Sequence, residues 1–498
     1  MIIGSGIFVS PVGVVRQVGS VGASLLVWLW CGVSSTLLAL CYAEIGTLIP
    51  ISGGEYAYVR EIFGPFPAFL ILWMNVTLLA PVTVAVSGSV FATYVVKPLF
   101  PECSPPLTAV KLLAAAVILL VAAVNVVGVK FATKIQLVFT ASKLLALSIV
   151  VGVGIYHLAL YGNSAAATAS AVDVFGSWDR LWEDSSTDPS AIAVAILSGF
   201  WAFGGWNYLN FLTGELKQPE RNLPLSILIG MAIVTIFYLL ANIAYFAVLP
   251  PRDMLQSAAV AVTFAEKARL PLGAILTPLF VAASVFGAMN GQVLGSSRVY
   301  VQGAVDGQLP RALAMISVAQ LTPTPALALI AALSVFLTVF FDVFVLISYF
   351  GLVSCLMIFA TLLGLLYWRW TQPERRSPVT TPIVLPVAML IYVTALIVLT
   401  IRRQFWDSLI GLGIVVTGLP VYFLFVRRAD DGGGTSVKSG KDCAGGSTIG
   451  KERDDVGGVK ANIGVTDVGP GKMTRLTVII QKLLGVIEQE DEASRKNN

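Results

Sequence analysis

Charged residues are scarce in this chain: Asp, Glu, Lys and Arg together make up 12% of its 498 residues. Soluble domains carry about 25% of these residues. Hydrophobic residues make up 56% of the chain, and its mean hydropathy is +0.84. The shortage of charge therefore excludes an ordinary soluble domain and predicts a polytopic membrane protein.

Histidine and cysteine are also rare. His157 is the single histidine, and five cysteines are scattered along the chain, of which only Cys103 falls in a connecting loop. This distribution excludes a metal-ligand cluster, an internal disulfide framework and the nucleophile–base set that an intramembrane enzyme needs. We predict no metal and no cofactor. The net charge of +4 comes without a basic cluster, so no nucleic-acid partner is expected.

Two processing signals are missing as well. The N-terminus has neither the basic region nor the cleavage site of a signal peptide. The only glycosylation triplet, Asn75-Val76-Thr77, lies inside an apolar run, whereas glycosylation needs an accessible loop. The chain is therefore expected to carry no N-linked glycan.

Long apolar runs are what the chain has in abundance. Eleven are long enough to cross about 30 Å of hydrocarbon, and a half-length segment at 1–16 brings the predicted number of spans to about twelve. The eleven runs lie near 20–48, 66–96, 107–128, 134–158, 190–213, 223–249, 271–302, 325–341, 343–368, 381–401 and 406–426. The predicted fold is an all-α polytopic membrane domain over residues 1–428.

The remaining residues have a different composition. Residues 429–472 are rich in Gly, Asp, Lys and Ser and predict a flexible linker. Helical periodicity returns at 473–490, which predicts either an amphipathic helix on the membrane or a weakly ordered tail, and 491–498 reads as disordered. A slight excess of Lys and Arg on one side favours a cytoplasmic C-terminus and places Cys103 outside.

Two apolar segments contain glycines that weaken a helix interior. The first carries Gly4-Ser5-Gly6, and the second carries Gly204-Gly205 about two hundred residues later. An opened helix frees backbone N–H and C=O groups, which lipid tolerates only where protein or a wet cavity surrounds them. Broken segments in corresponding halves of a membrane protein point to the substrate site of a secondary transporter. The alternative is that the glycines only allow close helix packing.

The chemistry of such breaks matches a free α-amino acid. The N–H groups of Ser5, Gly6 and Ile7 would lie at a positive helix terminus, which binds a carboxylate without an arginine. Freed carbonyl groups would accept the ammonium group; they belong to Ile2, Ile3, Trp201 and Ala202.

Side chains near the second break suggest a gate. Trp201 and Phe203 are aromatic residues that could close over a bound side chain, or they could serve ordinary helix packing. Gly204 leaves room for a bulky apolar substrate. No acid occupies this break, so we expect no fixed counter-charge for a cationic substrate there.

Charged residues inside the spans are functional candidates. Lys143 lies in the middle of an apolar segment, where its ammonium group could take the place of a bound sodium ion; alternatively, it could extend towards the cytoplasmic face. Glu44 and Glu215 lie near span ends and are expected to be interfacial anchors or helix caps.

Several motifs together resemble the L-type amino acid transporters, the light chains of heteromeric amino acid transporters in the amino acid–polyamine–organocation superfamily. The resemblance extends from residue 2 to about 428. The motifs are IIGSGIFVSP at 2–11, ALCYAEIGT at 39–47, SGGEYAY at 52–58, GGWNYLNF at 204–211, NLPL at 222–225 and AVAVTF at 259–264.

This resemblance implies a fold of twelve helices with two inverted five-helix repeats, whose first and sixth helices are discontinuous. It implies sodium-independent exchange of amino acids at the plasma membrane. It also implies a disulfide from Cys103 to a single-span type II glycoprotein heavy chain. The implied substrate contacts are Ile2, Ser5, Gly6, Ile7, Trp201, Ala202, Gly204 and Asn207, with Asn125 as a polar neighbour.

The resemblance leaves the substrate subtype open. Gly204 matches exchangers of large neutral amino acids, while Trp201 resembles the gate of b(0,+)-type exchangers of neutral and cationic amino acids; a y+L-like preference is also open. The family's second glutamate after the sixth helix is Gly214 here, and the loop at 303–310 lacks two charges that could latch the cytoplasmic gate. The first helix is expected to be truncated at the N-terminus, which leaves a non-transporting sensor or an inactive isoform as alternatives to an exchanger.

Overall fold

The computed structural model describes residues 2–49, 51, 53–100, 105–161, 175, 177–208, 210, 218–270, 273–317, 320, 322–375, 377–427 and 486–488. Helices dominate these residues. In chain order they are α1 Gly6–Val18, α2 Val21–Leu48, α3 Glu55–Phe63, α4 Pro65–Met74, α5 Ala80–Val96, α6 Leu107–Val127, α7 Val129–Tyr161, α8 Trp178–Trp182, α9 Pro189–Phe203, α10 Pro219–Val248, α11 Pro251–Gln256, α12 Val260–Lys267, α13 Gly273–Val305, α14 Thr324–Phe340, α15 Val343–Thr371, α16 Val384–Arg403 and α17 Phe405–Val421.

The expected polytopic all-α membrane architecture is confirmed. Eight helices of the described ranges are long and apolar enough to cross a membrane. Four shorter apolar helices accompany them: Gly6–Val18, Lys143–Ala159, Pro189–Phe203 and Thr324–Phe340. Together these segments correspond to the apolar runs of the sequence. Two of the short helices, α1 and α9, begin or end at the predicted breaks.

Local sequence explains where several helices begin. The Ser20 hydroxyl accepts a hydrogen bond from the Ala23 N–H at 3.2 Å and caps α2. Asp188 accepts from the Ser190 N–H at 3.0 Å and caps α9, and Pro189 occupies the first turn, where its missing N–H costs nothing. Gly64, at a φ of +91°, turns the chain between α3 and α4.

The third span contains a wider turn. Residues Asn75–Leu79 form a single π-helical turn between α4 and α5. Such bulges are frequent at functional sites, because they shift the side chains that follow onto a new face of the helix. The triplet that begins at Asn75 therefore lies within a membrane span, as the sequence predicts.

Small residues bring the central helices close together. The helix α1 packs against α9, α2 against α10, and α7 against both α10 and α13. A β-carbon added at Gly154 would lie 2.2 Å from the Ala244 β-carbon, and one at Gly199 would lie 2.6 Å from the Cys31 Sγ. Approaches of this kind are typical of membrane helices, which have no hydrophobic drive to associate in lipid.

A buried ion pair joins α2 to α15. The Arg369 Nε donates to the Glu44 Oε1 at 2.8 Å, and its second nitrogen donates to Oε2. The backbone N–H and the hydroxyl of Thr381 also donate to Oε2, at 3.0 and 2.7 Å. Glu44 is 1% exposed. The prediction that Glu44 is an interfacial anchor or a helix cap is therefore wrong, because its carboxylate is paired inside the helix bundle.

A second polar network surrounds Asp306. This residue lies in the loop at 303–310, which lacks two of the charges expected from the resemblance. The Tyr56 hydroxyl donates to the Asp306 Oδ2 at 2.8 Å, Gln302 donates to Oδ1 at 3.1 Å, and Arg60 forms an ion pair with the same carboxylate. Burial and the Asp306 charge raise the pKa of the Tyr56 phenol above its ordinary value, which keeps this hydroxyl a donor. The loop therefore retains an acidic contact to α3.

The C-terminal segment contributes one described strand. β2, Val486–Glu488, pairs antiparallel with β1, Met315–Ser317. These three residues differ from the helix predicted for 473–490, because they pair with the loop after α13 rather than form a helical turn. The predicted linker at 429–472 and tail at 491–498 lie outside the described residues.

Candidate functional site

The first break lies at the start of α1. Residues 3–5 form a bend, and α1 begins at Gly6 with Ser5 before it. The Phe8 N–H donates to the Ser5 carbonyl oxygen at 3.2 Å. The N–H groups of the first turn that come before Phe8 therefore have no partner within the helix. Ser5 is buried, and its hydroxyl lies 3.4 Å from that of Ser87 on α5. Backbone donors at a positive helix end are therefore available for an anion.

The second break ends α9. Phe203 is the last helical residue, and Gly204 leaves the helical conformation with a φ of −53° and a ψ of 143°. Gly205 follows at a φ of +107°, a conformation that residues with a β-carbon rarely adopt. Residues 206–208 then form a short 3₁₀ turn, and the next described α-helix begins at Pro219. The predicted opening at Gly204-Gly205 therefore exists within the described residues.

The two breaks touch each other. A β-carbon added at Gly6 would lie 2.2 Å from the Ala202 Cα, so the two backbones are in direct contact. Gly6 thus permits close packing of the two backbones and also lies at an opening of the helix. The sequence offered these as alternative reasons for the glycine, and both apply at this position.

Tyr238 on α10 connects the two breaks. Its hydroxyl lies 3.2 Å from the Ile2 carbonyl oxygen and 3.1 Å from the Ala202 carbonyl oxygen, and it donates to this pair. The ring is buried and packs edge-on against Trp28 and Phe203. Two of the four carbonyl groups assigned to a substrate ammonium group therefore already share a protein donor, although each keeps acceptor capacity.

Removal of this hydroxyl should impair function. We expect Tyr238→Phe to reduce about tenfold the amino acid exchange that the motif resemblance implies, because leaving buried carbonyl groups unsatisfied costs about 1–3 kcal/mol. Tyr245→Phe is the matched control: Tyr245 lies on the same helix, is equally buried, and its hydroxyl has no hydrogen-bond partner within the described structure. Initial rates of uptake, normalised to purified folded protein, test the difference. Equal rates for the two variants would contradict the bridging role of Tyr238.

A cavity opens beside the two breaks. It holds about 1180 Å³ of space free of atoms, including the part open to solvent. Its lining includes apolar side chains, among them Leu38, Leu79 and Phe350. It also includes amides and hydroxyls, among them Asn75, Thr83 and Ser296. A cavity lined by backbone donors and by both apolar and polar side chains suits a small zwitterion with a sizeable side chain.

The structure brings many of the predicted contacts to this cavity. Its lining includes Ile2, Ser5, Gly6, Trp201, Gly204 and Asn207. Trp201 packs edge-on against Phe350, with ring centroids 4.8 Å apart, and its buried indole N–H has no partner within the described residues. Its position between the break and α15 is compatible with a gate.

Other predicted residues lie elsewhere. Phe203 is fully buried against Trp28 and Tyr238 and is not part of the cavity wall, so its assignment as a gate is not supported by its position. Ile7 and Ala202 pack behind the wall. The Asn125 amide donates to the Asn290 Oδ1 at 2.9 Å and therefore joins α6 to α13, away from the lining.

Lys143 is buried, with 3% of its surface exposed, which argues against the alternative that it extends to the membrane surface. Its side chain lies close to Gly287 on α13, and its ammonium group has no hydrogen-bond partner among the described residues. No metal-binding group of three or more His, Cys, Asp or Glu occurs in the described ranges. Cys103 lies outside the described residues.

Sequence reasoning missed Tyr238 and Glu55. Glu55 is the first residue of α3 and lines the cavity, where its Oε1 accepts a hydrogen bond from the Asn207 Nδ2 at 2.7 Å. The sequence signal that could have pointed to Glu55 is the Gly53-Gly54 pair directly before it, which indicates a sharp turn. The partner of Glu55 lies 152 residues away in sequence and could not be read from the local pattern.

Known proteins resemble the chain over most of its length. A sequence model of the family described as "Amino acid permease" matches residues 1–420. The Homo sapiens protein "Large neutral amino acids transporter small subunit 2" is 41% identical over 425 residues, which cover 85% of this chain and 78% of that protein. Homo sapiens "Asc-type amino acid transporter 1" is also 41% identical, with coverage of 85% and 79%. Homo sapiens "b(0,+)-type amino acid transporter 1" is 40% identical over 428 residues, with coverage of 86% and 85%.

Proposed function

The chain belongs to the amino acid permease family, and on that premise we propose that it is a sodium-independent exchanger of large neutral L-amino acids. The resemblance to L-type transporters read from the motifs is confirmed by relatives that share 41% identity. A permease family also agrees with the expectation that the chain is not an enzyme.

The observation that carries the proposal is the juxtaposition of two opened helices on one cavity. Gly6 and Ala202 bring the breaks into contact, and Ser5 and Gly6 supply unpaired N–H groups at the cavity wall. A substrate carboxylate would bind these donors, while its ammonium group would bind the remaining acceptor capacity of the freed carbonyl groups. The apolar residues of the lining would receive the side chain, and Trp201 would close over it.

Independence from sodium rests on Lys143 in this proposal. The Lys143 side chain is buried on α7, and in its protonated form it would repel a second cation bound nearby. Lys143 would then take the place of a bound sodium ion and link the helices that pack around it.

The partner follows from the relatives. One of them is named a small subunit, which indicates assembly with another chain. We propose that this chain is likewise a light chain, joined through Cys103 to a single-span type II glycoprotein at the plasma membrane, with its own C-terminus in the cytoplasm. A mass shift on non-reducing gels that is lost in Cys103→Ser and kept in Cys443→Ser would support this link.

Uptake into proteoliposomes tests the exchanger. The full chain is reconstituted with unlabelled leucine inside, and labelled leucine is added outside with and without sodium. We expect uptake that requires internal leucine and is unchanged by sodium. Specific leucine binding without any counterflow would contradict exchange and favour the alternative of an amino acid sensor.

A further inference from the structure

A narrow groove lies between α7 and α13 and shares no lining residue with the substrate cavity. It holds about 340 Å³ of space free of atoms, including the part open to the surroundings. Its lining includes Ile149 on α7, Phe280 on α13, Phe264 on α12 and Phe8 on α1. Ile149 is 40% exposed, whereas Phe8 and Phe264 are buried. This groove, which we call the α7–α13 groove, therefore leads from the surface of two apolar helices to buried aromatic rings.

The surroundings of the α7–α13 groove are the hydrocarbon of the bilayer. The helix α13 is long and apolar enough to cross a membrane, and the part of α7 that lines the groove belongs to an apolar helix. Thr277 is the one polar side chain among the described residues of the lining. An apolar space beside lipid tails favours an apolar occupant, because water there would find almost no hydrogen-bond partners.

The depth of the groove matches that of one leaflet. On α13 its lining extends to Val281, which lies about 12 Å along the helix from the first residue, Gly273, at 1.5 Å per residue. One leaflet provides about 15 Å of hydrocarbon, half of the full thickness. The groove thus covers most of the depth that an acyl chain occupies.

A turn at one end of the groove places a cation beside it. Arg269 directly precedes Leu270, which belongs to the lining. The Leu270 N–H donates to the Ala265 carbonyl oxygen at 3.1 Å, and the Arg269 N–H donates to the Glu266 carbonyl oxygen at 3.0 Å. These two bonds end α12 in a Schellman motif, with Arg269 in the left-handed region at a φ of +52°. Glycine usually takes this position, so an arginine here has a conformational cost that glycine would avoid.

The guanidinium group of Arg269 is available to an external partner. Arg269 is exposed and forms no ion pair with any described residue, whereas the nearby Lys267 is paired with Asp253. Arg269 also lies shortly before Ile275, where the apolar span of α13 begins. Lipid phosphate groups occupy this interfacial region, just outside the hydrocarbon. A guanidinium group binds phosphate through two parallel hydrogen bonds.

We propose that the α7–α13 groove binds one acyl chain of a phospholipid and that Arg269 binds the phosphate group of the same lipid. Shape and charge agree on this occupant, because the groove accepts a chain and the exposed cation beside it complements an anionic phosphate. A sterol would fill the apolar space but would offer no anion to Arg269. Since Phe8 lines the groove, the bound chain would contact α1, the helix that begins at the first break.

Photo-crosslinking locates the chain. The full protein is reconstituted into phosphatidylcholine vesicles that contain a trace of phosphatidylcholine with a diazirine in one acyl chain, and labelled residues are identified by mass spectrometry. Labelling is normalised to that of α16, where Ile391 is 65% exposed and reports on bulk lipid. We expect Thr277→Trp, which fills the groove, to reduce labelling of its lining about tenfold. Ile236→Trp, at a lipid-facing position on α10, is the matched control and should leave this labelling unchanged.

A second probe tests the role of Arg269. A diacylglycerol with the same photoreactive chain has no phosphate group, so the unmodified protein should label about tenfold more with the phosphatidylcholine than with the diacylglycerol. In Arg269→Gly this ratio should fall to about one. The same variant should keep or raise the thermal unfolding temperature, because glycine suits the left-handed position. A merely structural arginine would leave the ratio unchanged.

Three outcomes would overturn the proposal. Labelling of the groove no stronger than that of α16 in the unmodified protein would show that no lipid is held there. Equal ratios of the two probes in the unmodified protein and in Arg269→Gly would exclude recognition of the phosphate group. Loss of the labelling when cholesterol is added to the vesicles, together with a ratio of about one, would assign the groove to a sterol instead.

Discussion

Gly6→Ala is expected to reduce amino acid exchange about 100-fold. The added β-carbon would lie 2.2 Å from the Ala202 Cα and 3.0 Å from the Ala202 nitrogen, which are backbone atoms that no rotamer change can move. The two breaks must therefore separate, and a displacement of about 1 Å at a substrate site can cost a factor of about 100. Leucine counterflow in proteoliposomes, normalised to folded protein recovered by size-exclusion chromatography, measures this loss.

The same substitution elsewhere provides the control. Gly152 lies on α7, and a β-carbon added there would meet nothing within 4 Å. Gly152→Ala should therefore leave exchange unchanged and, through the higher helix propensity of alanine, stabilise the protein slightly. If Gly6→Ala and Gly152→Ala transport equally well, the direct contact between the two breaks is not needed for function.

The positions of the two helix breaks were predictable from the sequence, because glycine within an apolar run indicates a backbone that departs from the helix. Gly4-Ser5-Gly6 and Gly204-Gly205 interrupt apolar runs that otherwise favour continuous helices, and the structure opens α1 and α9 at these positions. The apolar runs likewise predicted the spans, since hydrophobic length is set by the thickness of the bilayer.

The side chains around the breaks were harder to predict. Tyr238 lies in an apolar span and Glu55 in a motif, and neither local pattern shows which distant atoms the side chain approaches. Phe203 shows the opposite error: it follows Trp201 closely in sequence, yet the helix turns its ring into the core rather than towards the cavity. Proximity in sequence therefore identified the break but not which aromatic ring faces the substrate.

Glu44 illustrates the same limit for charges. Its place near a span end suggested an interfacial residue, whereas α15 brings Arg369 to it from 325 residues away. Tertiary packing thus converts an apparently exposed charge into a buried carboxylate that is paired with an arginine whose side chain is 20% exposed. Such a pair is costly to break from one side, because the remaining charge stays largely buried without its counter-ion.

Glu44→Gln should accordingly destabilise the protein by about 3–5 kcal/mol. The amide keeps the size of the side chain but removes the charge that Arg369 requires, and its NH₂ group faces donors from Arg369 or Thr381. Thermal unfolding of the purified protein in detergent, followed by intrinsic fluorescence, measures the loss. The control is Arg403→Gln, whose ion pair with Asp188 spans 3.3 Å between side chains that are 50% and 44% exposed. That change should cost at most about 1 kcal/mol.

A double variant decides whether the charge or the shape of Glu44 matters. Glu44→Met combined with Arg369→Met removes both charges and leaves apolar side chains of moderate size in their place. Because the desolvation cost of both ions disappears, the double variant should regain most of the stability lost in Glu44→Gln. If it unfolds as early as the single variant, the hydrogen bonds from Thr381, and not the unpaired arginine, account for the loss.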